Sequence, residues 1–222
     1  MSINVAIDGP AGAGKSTIAK LIAKKLGYIY VDTGAMYRAM ALYFMRLGVK
    51  ADETDKISCM CKDAEISIEY RDGVQVVLLG DEDVNGLIRT EEVGNMASAT
   101  SVNGDVREKL VELQRKLAAK ADVVMDGRDI GTVVLPQADV KVYLTASSAV
   151  RAKRRYDELV AKGQSADLEK IEADIIERDN RDMTREISPL KQADDAVLVD
   201  SSYMTIEEVA DTVIEPINKV KE

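Results

Sequence analysis

The sequence predicts an α/β protein, a parallel sheet flanked by helices with a small β-containing insert. Three observations carry that expectation. Apolar, strand-like runs alternate with helical patterns from residue 2 onward, as parallel strands joined by crossover helices require. The first such run, Ile3-Asn-Val-Ala-Ile7-Asp8, leads straight into a glycine-rich turn, Gly9-Pro-Ala-Gly-Ala-Gly14, and the turn into a helix. Residues 64–80 break the rhythm with period-two patterns on either side of a turn, the mark of a hairpin set into an α/β chain.

In order, residues 2–7 read as a buried strand. Residues 15–26 carry Ile18, Ile22 and Leu26 at i, i+4 and i+8, one apolar helical face, and Gly27 stops it. Tyr28-Ile-Tyr-Val31 is a short strand ending at Asp32, followed by a helix from about Thr33 to Leu47 that Gly48 ends. In the insert, Glu65–Tyr70 and Val74–Leu79 alternate around Arg71-Asp-Gly73; an insert there either shapes a ligand site or decorates a loop. Helical patterns at about 90–100 and 103–120 precede the strand Asp122-Val-Val-Met-Asp126. Residues 140–146 form the next strand, 148–163 a basic helix, 167–182 another helix, and 196–200 a last strand. The final helix shows Ile206, Val209, Val213 and Ile217, and Pro216 is expected to kink or end it. No repeat, low-complexity tract or linker interrupts the chain, so residues 1–222 are expected to form a single domain.

Composition narrows the chemistry. The chain of 222 residues is 46% hydrophobic and 31% charged, ordinary for a globular protein. Its formal net charge is −9, which argues against nucleic acid as a partner. No long apolar span or leader pattern is present, so neither membrane insertion nor export is expected. Two cysteines, Cys59 and Cys61, stand without a further ligand and suit a reducing cytoplasm. There is no histidine. His-based triads and His-ligated metals are therefore excluded; either a carboxylate serves as proton acceptor or the chemistry needs little proton transfer, as phosphoryl transfer does.

Residues 9–16 spell G-x-x-x-x-G-K-S. After a strand and before a helix, this spacing builds a phosphate cradle of the P-loop NTPase type. Glycines let backbone N–H groups approach a polyphosphate, and the helix dipole adds positive charge there. Gly9, Pro10, Ala11, Gly12, Ala13, Gly14, Lys15, Ser16 and Thr17 are the expected contacts to that polyphosphate. Lys15 would reach the β- and γ-phosphates and the Ser16 hydroxyl would ligate Mg²⁺.

Ligands in open parallel sheets bind beyond the C-terminal strand ends. Two more strand ends here carry unusual residues, Asp32-Thr33-Gly34-Ala-Met-Tyr-Arg38 and Asp126-Gly-Arg128-Asp129. Charges at a central strand end are costly to bury unless they bind something or pair with each other. In Glu177-Arg178-Asp179-Asn180-Arg181-Asp182-Met-Thr-Arg185, spacing puts Arg178, Asp182 and Arg185 on one helical face. That face serves either solvent or, given that arginine gathers here in an acidic protein, phosphate. Arg151, Lys153, Arg154 and Arg155 form a basic group that reads as a surface helix or as a lid closing over polyphosphate.

These motifs, in this order and at this spacing, resemble those of bacterial cytidylate kinases. The resemblance spans about residues 2–220; Thr33-Gly-Ala-Met-Tyr-Arg38 and Asp126-Gly-Arg-Asp-Ile-Gly131 are its most specific parts. It implies a P-loop kinase with ATP as donor, CMP or dCMP as acceptor and Mg²⁺ as cofactor. It implies a core of residues 1–32, 101–146 and 183–222, a monophosphate-binding region 33–100 and a lid 147–182. Ser98, Arg107 and Asp129 match the cytosine contacts. Arg38, Arg128 and Arg185 match the monophosphate contacts, with Thr33 beside them where relatives carry serine. Arg178 and Asp182 match the sugar contacts, and Arg154 and Arg155 the lid arginines. Lys15, Arg128, Arg154, Arg155 and Arg185 would be the catalytic charges. A monomeric, cytoplasmic enzyme is expected. A kinase of UMP or dTMP is the nearest alternative, differing only in the base contacts. A GTPase switch would need N-K-x-D, and the lone Asn218-Lys219 is followed by Val and Lys.

Overall fold

The computed structural model describes residues 2–221. In chain order the elements are β1 (Asn4–Asp8), α1 (Lys15–Leu26), β2 (Ile29–Asp32), α2 (Thr33–Arg46), α3 (Thr54–Met60), β3 (Ile66–Arg71), β4 (Val74–Leu79), β5 (Glu82–Asp83), α4 (Glu91–Thr100), α5 (Gly104–Ala118), β6 (Val123–Gly127), β7 (Val140–Thr145), α6 (Ser148–Ala161), α7 (Leu168–Thr184), β8 (Val197–Asp200) and α8 (Ile206–Lys221). They form two compact units, one of residues 3–28 and 123–221, the other of residues 29–122.

In the first unit β6, β1, β7 and β8 lie side by side in that order, all parallel. β1 is flanked on both sides, which explains its unbroken apolar run: Val5, Ala6 and Ile7 are fully buried. Its last residue, Asp8, stands level with Gly127 of β6 and Tyr143 of β7. α1 packs on β6 and α8 through Ile18, Ala19, Ile22 and Ala23, the face its periodicity announces. Left-handed Gly27 ends the helix as expected. α8 runs through Pro216 to Lys221 rather than ending there. Its buried seam of Val209, Val213 and Ile217 straddles the proline, and burying Ile217 outweighs one lost backbone hydrogen bond. After β6 the chain makes a single π-type turn, Ile130–Val134, a widened coil uncommon outside functional sites.

The second unit holds the insert as a three-stranded antiparallel sheet, β3-β4-β5, one strand more than the hairpin pattern discloses. Asp72 and Gly73 both have positive φ, as a two-residue turn between twisted strands requires. β5 and α3 are too short to establish a period in sequence. Val77, Val84, Ile88, Val93 and Ala97 pack on Ala35 and Ala39 of α2, joining sheet, α2 and α4 into one core. The Gln75 side chain ties β4 to the end of β2, accepting from Asp32 N at 2.8 Å and donating to Asp32 O at 3.2 Å.

The exit from β1 is sterically closed to any side chain. Gly9 has φ +148°, and a Cβ there would lie 1.9 Å from the Leu144 carbonyl oxygen of β7. Gly9→Ala is expected to cost about 3 kcal/mol or more, read as a lowered midpoint in urea denaturation.

Candidate active site

Gly14, with φ 93°, caps α1 in a left-handed conformation, so the first amides of the helix point back over the glycine loop. Lys15 opens the helix and is buried; its ammonium donates to the Pro10 carbonyl at 2.7 Å. Burial and the nearby Arg128 charge pull Lys15 well below the usual lysine value, against the carboxylates of Asp126, Asp8 and Asp182. An anionic phosphate would reverse that shift by supplying the missing counter-charge. Ser16 Oγ donates to Asp126 Oδ2 at 2.9 Å. A hydroxyl and a carboxylate at the head of α1 are the hard oxygens Mg²⁺ takes. Among the described residues no group of three or more His, Cys, Asp or Glu is set to hold a metal. Mg²⁺ usually completes its shell with substrate phosphates and water, so the pair fits that ion. Sequence spacing leaves Asp126 without a role; its position one strand over from the phosphate loop is what reveals it.

Arg128 and Asp129 follow β6. Arg128 Nε pairs with Asp182 Oδ2 of α7 at 2.8 Å, and Arg185 Nη2 lies 3.8 Å from Asp129 Oδ1. Burial alone would raise the Asp182 carboxyl, but Arg128, helped by Arg178 and Arg185, brings it below the usual aspartate range. Arg178 and Asp182 share α7, whereas Arg185 sits one residue past its end with ψ 142° and reaches Asp129 from there. Its Nε donates to the Ser188 carbonyl at 2.7 Å. Five of the expected acceptor contacts, Arg128, Asp129, Arg178, Asp182 and Arg185, thus belong to one unit. Asp8 lies beneath them: its carboxylate accepts from the Ile130 and Gly131 amides at 2.7 Å each, and burial pushes it up to about 6.

The basic helix divides by residue. Arg151 is buried and bidentate to Asp179, at 3.1 and 2.6 Å. It also donates to Ala146 O at 2.8 Å and to Ala11 O of the phosphate loop at 3.0 Å. Arg154 donates to Ser201 O at 2.8 Å, and Arg155 pairs with Glu158 of its own helix at 2.9 Å. The member of this group that touches the phosphate loop is therefore Arg151, which the sequence shows only as one of a basic run.

The second unit holds Thr33, Arg38, Ser98 and Arg107. Asp32 caps α2, accepting from Ala35 N at 2.9 Å and pairing with Arg89 at 2.8 Å, so Thr33 begins the helix buried. Gly34 leaves room for the Arg38 guanidinium, whose Nη1 would lie 3.4 Å from a Cβ at that position. Arg107 of α5 is buried with its guanidinium carbon 5.7 Å from the centre of the Tyr37 ring. Ser98 Oγ of α4 is buried without a hydrogen-bond partner among the described residues, a costly state that a polar ligand atom would relieve.

Such a framework handles phosphoryl groups, and its class is that of the P-loop kinases. The fold is shared with a gluconokinase from Sinorhizobium meliloti 1021, at a TM-score of 0.50 and 14% identity covering 98% of this chain and 93% of that one. It is shared likewise with a shikimate kinase from Bacteroides thetaiotaomicron, at a TM-score of 0.50 and 15% identity covering 97% and 98%. Sequence is more specific: residues 5–219 match the family model described as cytidylate kinase. A cytidylate kinase from Caldicellulosiruptor saccharolyticus is 52% identical over 98% of this chain and 96% of its own length. Another, from Carboxydothermus hydrogenoformans, is 48% identical over 98% of both. The chain belongs to the cytidylate kinase family.

Removing either partner of the buried Arg151–Asp179 pair strands a charge. Arg151→Met or Asp179→Leu alone is expected to cost about 3–5 kcal/mol in urea unfolding, and the double variant to recover at least half of that.

Proposed function

We infer that the chain transfers the γ-phosphoryl group of ATP to CMP or dCMP, giving ADP and CDP or dCDP. The family match along residues 5–219 carries this reading. The buried Asp129 beside Arg185, just past the end of β6, supports the choice of base. A carboxylate accepts from the exocyclic amine of cytosine, which uracil and thymine lack.

ATP lies with its phosphates on residues 9–17. Lys15 spans the β- and γ-phosphates, and the α1 amides hold charge that builds during transfer. Arg128 and Arg185, with Arg38 and Thr33, hold the acceptor phosphate; arginine forks match its oxygens bidentately. Arg178 and Asp182 take the sugar, and Ser98, Arg107 and Asp129 the base. Ser16 with Asp126 would hold Mg²⁺, which when bound neutralises charge on the phosphate oxygens. The γ-phosphoryl moves in line onto a phosphate oxygen of CMP. That oxygen is already anionic, so no general base is needed, in keeping with a chain that has no histidine.

Arg154 and Arg155 are the lid charges in this reading. Arg155 and Glu158 are both about half exposed, and such a pair is worth well under 1 kcal/mol, so Arg155 is cheaply recruited to a phosphate. Residues 147–182 act as the lid and 33–100 as the monophosphate-binding region; closure excludes water and limits ATP hydrolysis. The enzyme works as a monomer in the cytoplasm.

ATP-dependent ADP release with CMP, dCMP, UMP, AMP and dTMP offered separately tests this reading. Fast release with CMP and dCMP and slow release with UMP are expected; a strong preference for another acceptor would keep the kinase and discard the base contacts. Lys15→Ala is expected to lower kcat about 10²–10³-fold with the circular dichroism spectrum unchanged. Asp129→Ala should narrow the ratio of CMP to UMP use at least tenfold in a competition assay, the worth of about one good base contact.

A further inference from the structure

We propose that Asp8 is a positioning residue for base selection: it locks the π-type turn 130–134 to the strand that carries the phosphate loop, and so fixes where Asp129 and Arg128 stand. The inference rests on the acceptor reading above and adds a residue to it.

The turn needs such a lock. Asp129 N-caps it with φ −147° and ψ 28°, and the Asp129 carbonyl accepts from Val133 N and Val134 N at 2.9 and 3.1 Å. The first amides of the turn, at Ile130 and Gly131, therefore face away from those bonds, and both find the Asp8 carboxylate at 2.7 Å. One oxygen serves each amide, an arrangement only a carboxylate satisfies. An asparagine would meet one of the two N–H groups with its own NH₂.

The fit is tight on the other side too. A Cβ at Gly131 would come within 3.1 Å of Lys141 Cδ, 3.2 Å of Lys141 Cγ and 3.4 Å of Asp8 Oδ2. Lys141 is anchored by its ammonium to Pro136 O at 2.7 Å and to both Asp195 oxygens at 2.9 and 2.8 Å. The turn is thus pressed between an anchored lysine stem and a buried carboxylate that burial pushes up to about 6. A carboxylate kept at that cost, where an apolar residue would only fill space, implies that holding the two amides matters. The backbone of the donor side is held by the pairing of β1 along both edges, and among the carboxylates that favour the Lys15 charge Asp126 outweighs Asp8.

The test is steady-state kinetics of Asp8→Asn and Gly131→Ala beside the unaltered enzyme, with CMP and UMP as competing acceptors. Both variants are expected to lose CMP-over-UMP selectivity at least fivefold and to raise KM for CMP at least tenfold. KM for ATP should stay within threefold. A carboxylate serving stability alone would lower the folded fraction and leave selectivity and both KM values unchanged. That result, in whichever variant folds, overturns the proposal. If the unaltered enzyme itself shows no CMP preference, the acceptor reading fails and the proposal with it. If it prefers CMP and the variants match it, Asp8 alone is discarded.

Discussion

Parallel pairing of β1 between β6 and β7 is the constraint on which the first unit depends. It sets Asp8 level with Gly127 and Tyr143, so two loops of different chemistry leave the sheet side by side. One is the glycine cradle and the other begins Arg128-Asp129. Val5, Ala6 and Ile7 are apolar because both faces of β1 are buried, and its carboxylate comes at the last residue, where the strand meets the glycine loop. The abrupt change from Ile7 to Asp8 and Gly9 is the trace of that geometry in the chain.

Charge is arranged in two ways. The protein carries a net charge of −9, yet Arg128, Arg151 and Arg185 are drawn in against carboxylates close to the ends of β6 and β7, while arginines such as Arg46, Arg71 and Arg181 stay exposed. Arg151 with Asp179 is a buried pair and Arg128 with Asp182 a partly buried one, and such pairs gain little for stability over apolar residues of like volume. Each pair fixes the attitude of its guanidinium group. The exposed pairs, such as Arg155–Glu158 or Lys153–Asp157, are loosely committed by comparison.

Much of this was legible in the residues. The glycine-rich spacing, the period-two insert around Asp72-Gly73 and the i, i+4 faces of α1 and α8 are local, repetitive signals, and the elements follow them closely. What escaped was either too short to repeat, as with α3 and β5, or decided by tertiary packing. Pro216 stays inside α8 because Ile217 beyond it is buried. Asp126 and Asp8 show no role in sequence, since their partners lie more than a hundred residues away. Likewise nothing in the run Arg151-Ala-Lys-Arg-Arg155 says which arginine turns inward; that depends on Ala11 and Asp179.

That run has a mechanical consequence. Along α6, Arg151 is bolted to two loops and a neighbouring helix, Arg154 to Ser201, and Arg155 to Glu158 of its own helix. Fastening therefore fades over a single turn of helix. Were residues 147–182 to close over a phosphate as proposed, Arg151 would be the fixed point of α6, and Arg154 and Arg155 the guanidinium groups left to turn toward the ligand.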